Sequence, residues 1–151
     1  MSVERYHVIP ESRGVYILFI EVARERKISV GRLGTMSFEP GFYAYVGSAM
    51  GPGGLRARIS RHLRSQKRKF WHIDYLLEVS NIRKVVYVET ERKLECVVAR
   101  EILKRATPIK NFGASDCECV SHLFRVEGMG VIIDALMELG LKYMTIDVDS
   151  F

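Results

Sequence analysis

No hydrophobic run in this sequence is long enough to cross a bilayer. The longest unbroken apolar stretch, Val15 to Ile20, is six residues, against the ~20 that a membrane helix needs. The opening residues MSVERYHVIPESRG hold no apolar core of signal-peptide length and carry acidic residues early. Cysteine is scarce and odd in number: Cys96, Cys117 and Cys119, the last two separated by a single residue. A secreted disulfide framework calls for an even count at wider spacing, so a reducing, cytoplasmic setting without membrane partners is expected. There are also no internal repeats, linkers or low-complexity tracts. With 48% hydrophobic and 27% charged residues in 151, collagen-like, mucin-like and disordered classes are excluded. A chain of this length buries enough surface to fold as one domain without a covalent or metal staple.

The most telling absence is of negative charge. Between Pro40 and Ile73 there is no Asp or Glu, while seven basic residues stand there: Arg56, Arg58, Arg61, Arg64, Lys67, Arg68 and Lys69. The other sixteen Lys and Arg face all eighteen acids, so the net charge of +5 comes from this one stretch. Glu127 to Phe151 runs the other way, with five acids against Lys142 alone. Such asymmetry predicts one electropositive face, suited to a polyanion and most simply to nucleic acid. A solvated basic helix is the plainer reading of charge alone.

Gly14 to Val22 (GVYILFIEV) is continuously apolar, β-branched and aromatic, as a strand buried on both faces should be. Arg24-Glu25-Arg26 reads as a turn and Lys27 to Gly31 as the returning strand of a hairpin. Glu39-Pro40-Gly41 is a second turn signal, before a strand over Phe42 to Val46. The glycine-rich Gly47 to Gly54 forces a bend before an amphipathic helix over about Leu55 to Gln66. Leu55, Ile59 and Leu63 form its apolar stripe, with Arg58, Arg61, His62 and Ser65 on a neighbouring face. A strand is expected over Ile82 to Thr90, a helix over Lys93 to Lys104, a short strand over His122 to Val126, and a helix over Gly130 to Leu139 ended by Gly140. Lys142 to Val148 reads as a final edge strand. The fold class expected is α/β (α+β): a small, central, mostly antiparallel sheet flanked by helices.

Two tripeptides, Gly14-Val15-Tyr16 and Tyr45-Val46-Gly47, are followed by Leu55, then Arg58 three positions on and His62 one turn further. This arrangement resembles the GIY-YIG nuclease superfamily, and Trp71-His72-Ile73-Asp74-Tyr75-Leu76-Leu77 with Ser115-Asp116-Cys117 is similar to an uncharacterised prokaryotic branch of it. The resemblance spans about Gly14 to Phe124, leaving 125–151 as a C-terminal helix and strand extension of one domain, 1–151. The seven residues from Ser48 to Gly54 exceed the four or five usual at that loop.

The resemblance implies a metal-dependent nuclease acting on phosphodiester bonds, in DNA rather than RNA, with a DNA-repair protein as a possible partner. It implies Tyr16, or else Tyr45, as general base, Arg58 on the scissile phosphate and His62 assisting. Gly14 and Gly47 would shape the backbone around the tyrosines. One Glu would hold a single Mg²⁺ or Mn²⁺; Glu95 is favoured over Glu101, and one carboxylate leaves a hard cation's other positions to water and substrate oxygens. A phenol near a cation and a guanidinium is expected to have a lowered pKa. Arg56, Arg61, Arg64, Lys67, Arg68, Lys69 and His72 are the expected nucleic-acid contacts. Trp71 is either a base-contacting platform or a core anchor, and His72 either lines the cleft or pairs with Asp74 for structure. A module that keeps this fold and binds nucleic acid without cutting is the alternative.

Cys117, Cys119, His122 and the distant Cys96 could in principle supply four N/S ligands. Structural sites usually show C-x₂₋₄-C spacing, and nothing in the sequence brings Cys96 near, so zinc is not expected. Cys117 reads as a small buried residue and Asp116 as a cap. The Gly51 to Gly54 stretch lacks the Lys-Ser/Thr ending of a nucleotide-binding loop and reads as a connection.

Overall fold

The computed structural model describes residues 8–114 and 117–148. Asp116, expected to cap, lies outside the described residues, as do 149–151 of the acidic C-terminal stretch.

The chain orders its elements as β1 (Gly14–Val22), β2 (Arg26–Ser29), β3 (Thr35–Phe38), β4 (Gly41–Ala49), α1 (Gly54–Leu63), α2 (His72–Leu77), β5 (Asn81–Glu89), α3 (Glu95–Leu103), β6 (Thr107–Pro108), β7 (Leu123–Val126), α4 (Met129–Glu138) and β8 (Met144–Asp147). Six strands form one sheet in the order β6-β7-β4-β1-β5-β8, with every neighbouring pair antiparallel. This is the expected mixed fold with a mostly antiparallel sheet. Among the described residues no helix is long and apolar enough to cross a membrane.

β1 sits between two nine-residue strands and is covered on both faces, which explains its unbroken apolar run. Successive side chains leave a strand on opposite faces. Tyr16, Leu18, Ile20 and Val22 therefore join the core under α1 and α2, with Tyr43 and Tyr45 of β4. Val15, Ile17 and Phe19 join the other core, against Val98 and Ile102 of α3 and Ile132 and Leu136 of α4.

Two expectations are corrected. β2 does not return along β1, because β4 and β5 occupy both edges of that strand; it pairs with β3 in a separate two-stranded ribbon. The first helix ends at Leu63 rather than Gln66, where Arg64 turns extended (φ −72°, ψ 136°). Lys67 then folds back, its Nζ donating to the carbonyls of His62 (3.2 Å) and Arg64 (2.6 Å), a favourable place for a cation. At the other end of α1, the amides of Leu55 and Arg56 donate to the carbonyls of Ser12 and Pro10. The glycine-rich stretch is thus a connection onto an occupied helix start.

Candidate active site

The register of β1 against β4 puts Tyr16 directly opposite Gly47. A Cβ on Gly47 would lie 2.3 Å from the Tyr16 ring carbon that bears its hydroxyl, so only glycine lets the phenol lie across β4. Gly14 is constrained likewise, by the Val88 carbonyl 2.2 Å from where its Cβ would stand. Gly47 thus permits the close approach of Tyr16, whereas Gly14 permits that of the β5 backbone and Leu55 rather than of a tyrosine.

Tyr16 and Tyr45 share the α1 side of the sheet and floor a cavity of about 290 Å³, whose lining includes Ser48, Arg58, Trp71, Glu95 and His122. Four of the five residues expected to carry the chemistry, Tyr16, Tyr45, Arg58 and Glu95, thus line one cleft. The fifth, His62, lies behind it: Tyr16 Oη and His62 Nε2 are 2.6 Å apart. Glu101 does not line the cleft: it is buried on α3, its carboxylate held by Lys104 (3.1 Å) and Arg105 (2.5 Å). That geometry separates the two glutamates that the sequence left as alternatives.

Burial dominates the electrostatics of the cleft floor. Tyr16 is 2% exposed and Tyr45 7%. Burial raises both phenols above their ordinary range, outweighing the opposing pull of Arg58. The expected lowered phenol pKa is therefore reversed in the chain by itself: Tyr16 is neutral at any ordinary pH. Burial also lowers His62 to about 3, so its ring is neutral too. Its Nδ1 is a buried atom with no hydrogen-bond partner among the described residues.

The basic stretch divides into cations that are spent on the fold and cations that are not. Arg56 donates to Glu11 (2.7 Å) and to the Ile9 carbonyl, and Lys69 pairs with Glu78. Arg61 forks onto both oxygens of Asp74 at 2.9 Å each and reaches the Arg68 carbonyl. Asp74 is buried and also accepts the Phe70 and Trp71 amides (2.8 and 2.9 Å). Burial pushes its carboxyl up, but the Arg61 guanidinium and those two amides outweigh it and hold it below the usual range. Arg58, Arg64 and Arg68 have no carboxylate partner among the described residues. The Arg58 guanidinium lies 4.6 Å and that of Arg61 4.4 Å from the Trp71 ring centre. Trp71 is thereby half-buried against the core as well as stacked with cations. His72 accepts the Gly113 amide (2.9 Å) and packs on Phe112, tying α2 to the segment between β6 and β7.

The largest departure from the sequence reading is the cysteine cluster. Ligand atoms of Cys96, Cys117, Cys119 and His122 all lie within 4.8 Å of one another, with His122 Nε2 3.3 Å from Cys117 Sγ and 3.9 Å from Cys96 Sγ. This set can hold a metal ion. What brings Cys96 near is tertiary: α3 and β7 both pack against β4, and Val46 N–H donates to the His122 carbonyl at 2.8 Å. The other His122 nitrogen, Nδ1, faces Glu95 Oε1 at 3.5 Å. The cluster therefore adjoins the cleft, and Cys117 and His122 line both. The C-x-C-x₂-H run was the available signal; the fourth ligand, one residue after Glu95, could not be assigned from spacing.

A protein-family model described as "Domain of unknown function DUF123" matches residues 15–144. This overturns the GIY-YIG assignment drawn from Gly14-Val15-Tyr16 and Tyr45-Val46-Gly47: the family that matches nearly the whole chain is a different one by name. No curated protein and no solved structure matches the chain.

Proposed function

From the premise that the chain belongs to the DUF123 family, whose description names no activity, we propose that it is a metal-dependent nuclease hydrolysing phosphodiester bonds, with zinc held by Cys96, Cys117, Cys119 and His122. The single observation that carries the reading is the convergence of two phenols, one guanidinium and one carboxylate on a cleft, beside a stretch of chain in which Arg64 and Arg68 have no carboxylate partner among the described residues.

The donor set fits the metal. Three thiolates and an imidazole are the soft, four-coordinate surroundings of a structural zinc site and a poor match for Mg²⁺ or Mn²⁺. With four protein ligands the site is closed, so the ion would supply order rather than an activated water. His122 would ligate through Nε2 while Nδ1 donates toward Glu95, a pairing that fixes ring orientation.

The cleft residues divide the remaining work. Arg58, with no carboxylate to answer, offers two parallel N–H donors to a phosphate and keeps its charge at any working pH. Glu95, the carboxylate that lines the cleft, would take a proton from the water that attacks phosphorus. The P–O ester bond then breaks as the water oxygen bonds, and Tyr16, neutral and hydrogen-bonded to His62, is a donor for the departing oxygen. Tyr45 closes the floor.

A second reading, a nucleic-acid-binding module that does not cut, draws on one observation: both phenols are almost wholly buried. One assay separates the two. Metal-analysed protein is incubated with labelled duplex, single-stranded and branched DNA and RNA, with Mg²⁺, Mn²⁺ or no added cation. The nuclease reading requires cleavage that is lost in Arg58→Ala; salt-sensitive binding without cleavage under every condition supports the binding module instead.

A further inference from the structure

Phe70 is 78% exposed, and no other large hydrophobic side chain among the described residues is as open. It is not a loose side chain on a loose loop. Its amide donates to the buried Asp74 carboxylate at 2.8 Å, and the Arg68 carbonyl, two residues back, accepts from Arg61. Its ring stands edge-on to Trp71, with centres 5.4 Å apart and planes at 88°. Trp71 itself is taken up by the guanidinium groups of Arg58 and Arg61 and by the core. Trp71 and Phe70 both line an open pocket of about 400 Å³ with Arg64, Lys67 and Arg68, and of the two rings Phe70 is the more exposed and the one without those guanidinium groups over it.

A fixed, exposed aromatic ring among cations matches a flat, apolar group carried on an anionic chain. In a duplex the base faces are already stacked on one another; in an unpaired segment they are free, and stacking on an aromatic side chain is tolerant of sequence. We infer that Phe70 is a stacking platform for an unpaired nucleobase, with the adjoining phosphates met by Arg64 and Arg68, so that the preferred substrate contains a single-stranded or splayed segment. This rests on the reading of nucleic acid as substrate and adds the class of nucleic acid to it. Phe70, rather than Trp71, is then the residue that distinguishes strands.

The test uses the full chain and two probes at one salt concentration: a short single-stranded DNA carrying 2-aminopurine, and a blunt duplex of the same length. Wild type should quench the 2-aminopurine on binding. Phe70→Ala should remove the quench and weaken single-strand binding about five- to one-hundred-fold, leaving duplex affinity within about twofold. Phe70→Tyr should restore both, and placing an abasic nucleotide at the reporter position should make wild type and Phe70→Ala bind alike. Unchanged single-strand binding by Phe70→Ala, or equal weakening on both probes, overturns the platform while leaving nucleic-acid recognition standing. Absence of binding to either probe by wild type overturns the nucleic-acid reading itself, and the platform with it. Unaltered circular dichroism of the variants shows that the exposed ring was removed without unfolding the chain.

Discussion

Gly47 and Tyr16 face each other across β1 and β4, and the Tyr16 ring occupies the space where a Cβ on Gly47 would stand. The cleft floor depends on this pair, since the same phenol meets His62 Nε2 at 2.6 Å. Gly47→Ala should push the ring away from β4 and off His62. The expected outcome is a stability loss of about 1–3 kcal/mol from overpacking, read from urea denaturation, with activity falling further than stability explains.

Arg58 touches the protein chiefly through the Trp71 ring. Arg58→Ala should therefore cost no more than about 1 kcal/mol of stability, while cleavage falls by about two to three orders of magnitude. Arg58→Lys keeps the charge and loses the fork, and should recover binding more than rate. Paired denaturation curves and initial rates check both statements.

Asp74 and Arg61 anchor the loop that carries Phe70 and Trp71. Asp74→Ala leaves a largely buried guanidinium and two amides unanswered, and a loss of about 3 kcal/mol is expected. Single-strand binding should weaken as well, because the Phe70 ring loses its backbone tether.

Stability should also fall in acid, beginning well above carboxylate titration. His62 is lowered from 6.5 to about 3 in the folded chain, so the unfolded chain takes up this proton first. The stabilisation is whole above pH 6.5 and is lost progressively as pH falls toward 3. Asp74, lowered from 3.8 by its partners, adds a second loss below that value. Urea midpoints measured from pH 7.5 to pH 4.5 should decline, and His62→Gln should make the decline shallower, leaving the part that comes from His72 and His122, which burial also lowers.

The legibility of the chain in its sequence tracks the range of the forces involved. The β1 run was readable because burial on both faces leaves an unbroken apolar pattern, and the α1 stripe because Leu55 and Ile59 recur at helical spacing. The partner of β2 was not, since a strand between two long neighbours has no free edge, and that is a property of the whole sheet. α2 is six residues long, and its start is set by Asp74 accepting the amides of Phe70 and Trp71 rather than by periodicity. Tyr16, Tyr45, Arg58 and Glu95 are singled out through a resemblance that the family match overturns, and the fold brings all four to one cleft. Burial reversed the expected charge state of the phenols. Cys96 joined its cluster through packing of α3 that no spacing rule anticipates.

The cluster of Cys96, Cys117, Cys119 and His122 offers its own prediction. Purified chain should carry about one zinc per molecule by elemental analysis, and Cys117→Ser should lower that content. Because an ion that binds only the folded state stabilises it by mass action, about 4 kcal/mol at a thousandfold excess over its dissociation constant, chelation should lower the melting temperature. A chain that unfolds identically with and without zinc would argue for three unligated thiols.

The central claim, that this cleft cuts phosphodiesters, is tested most directly by single-turnover incubation of zinc-loaded wild type and Arg58→Ala with an end-labelled DNA bearing a single-stranded flap, with products resolved by length. The account predicts discrete shorter products from wild type and intact substrate from folded Arg58→Ala. Intact substrate from both, or equal cleavage by both, would contradict it.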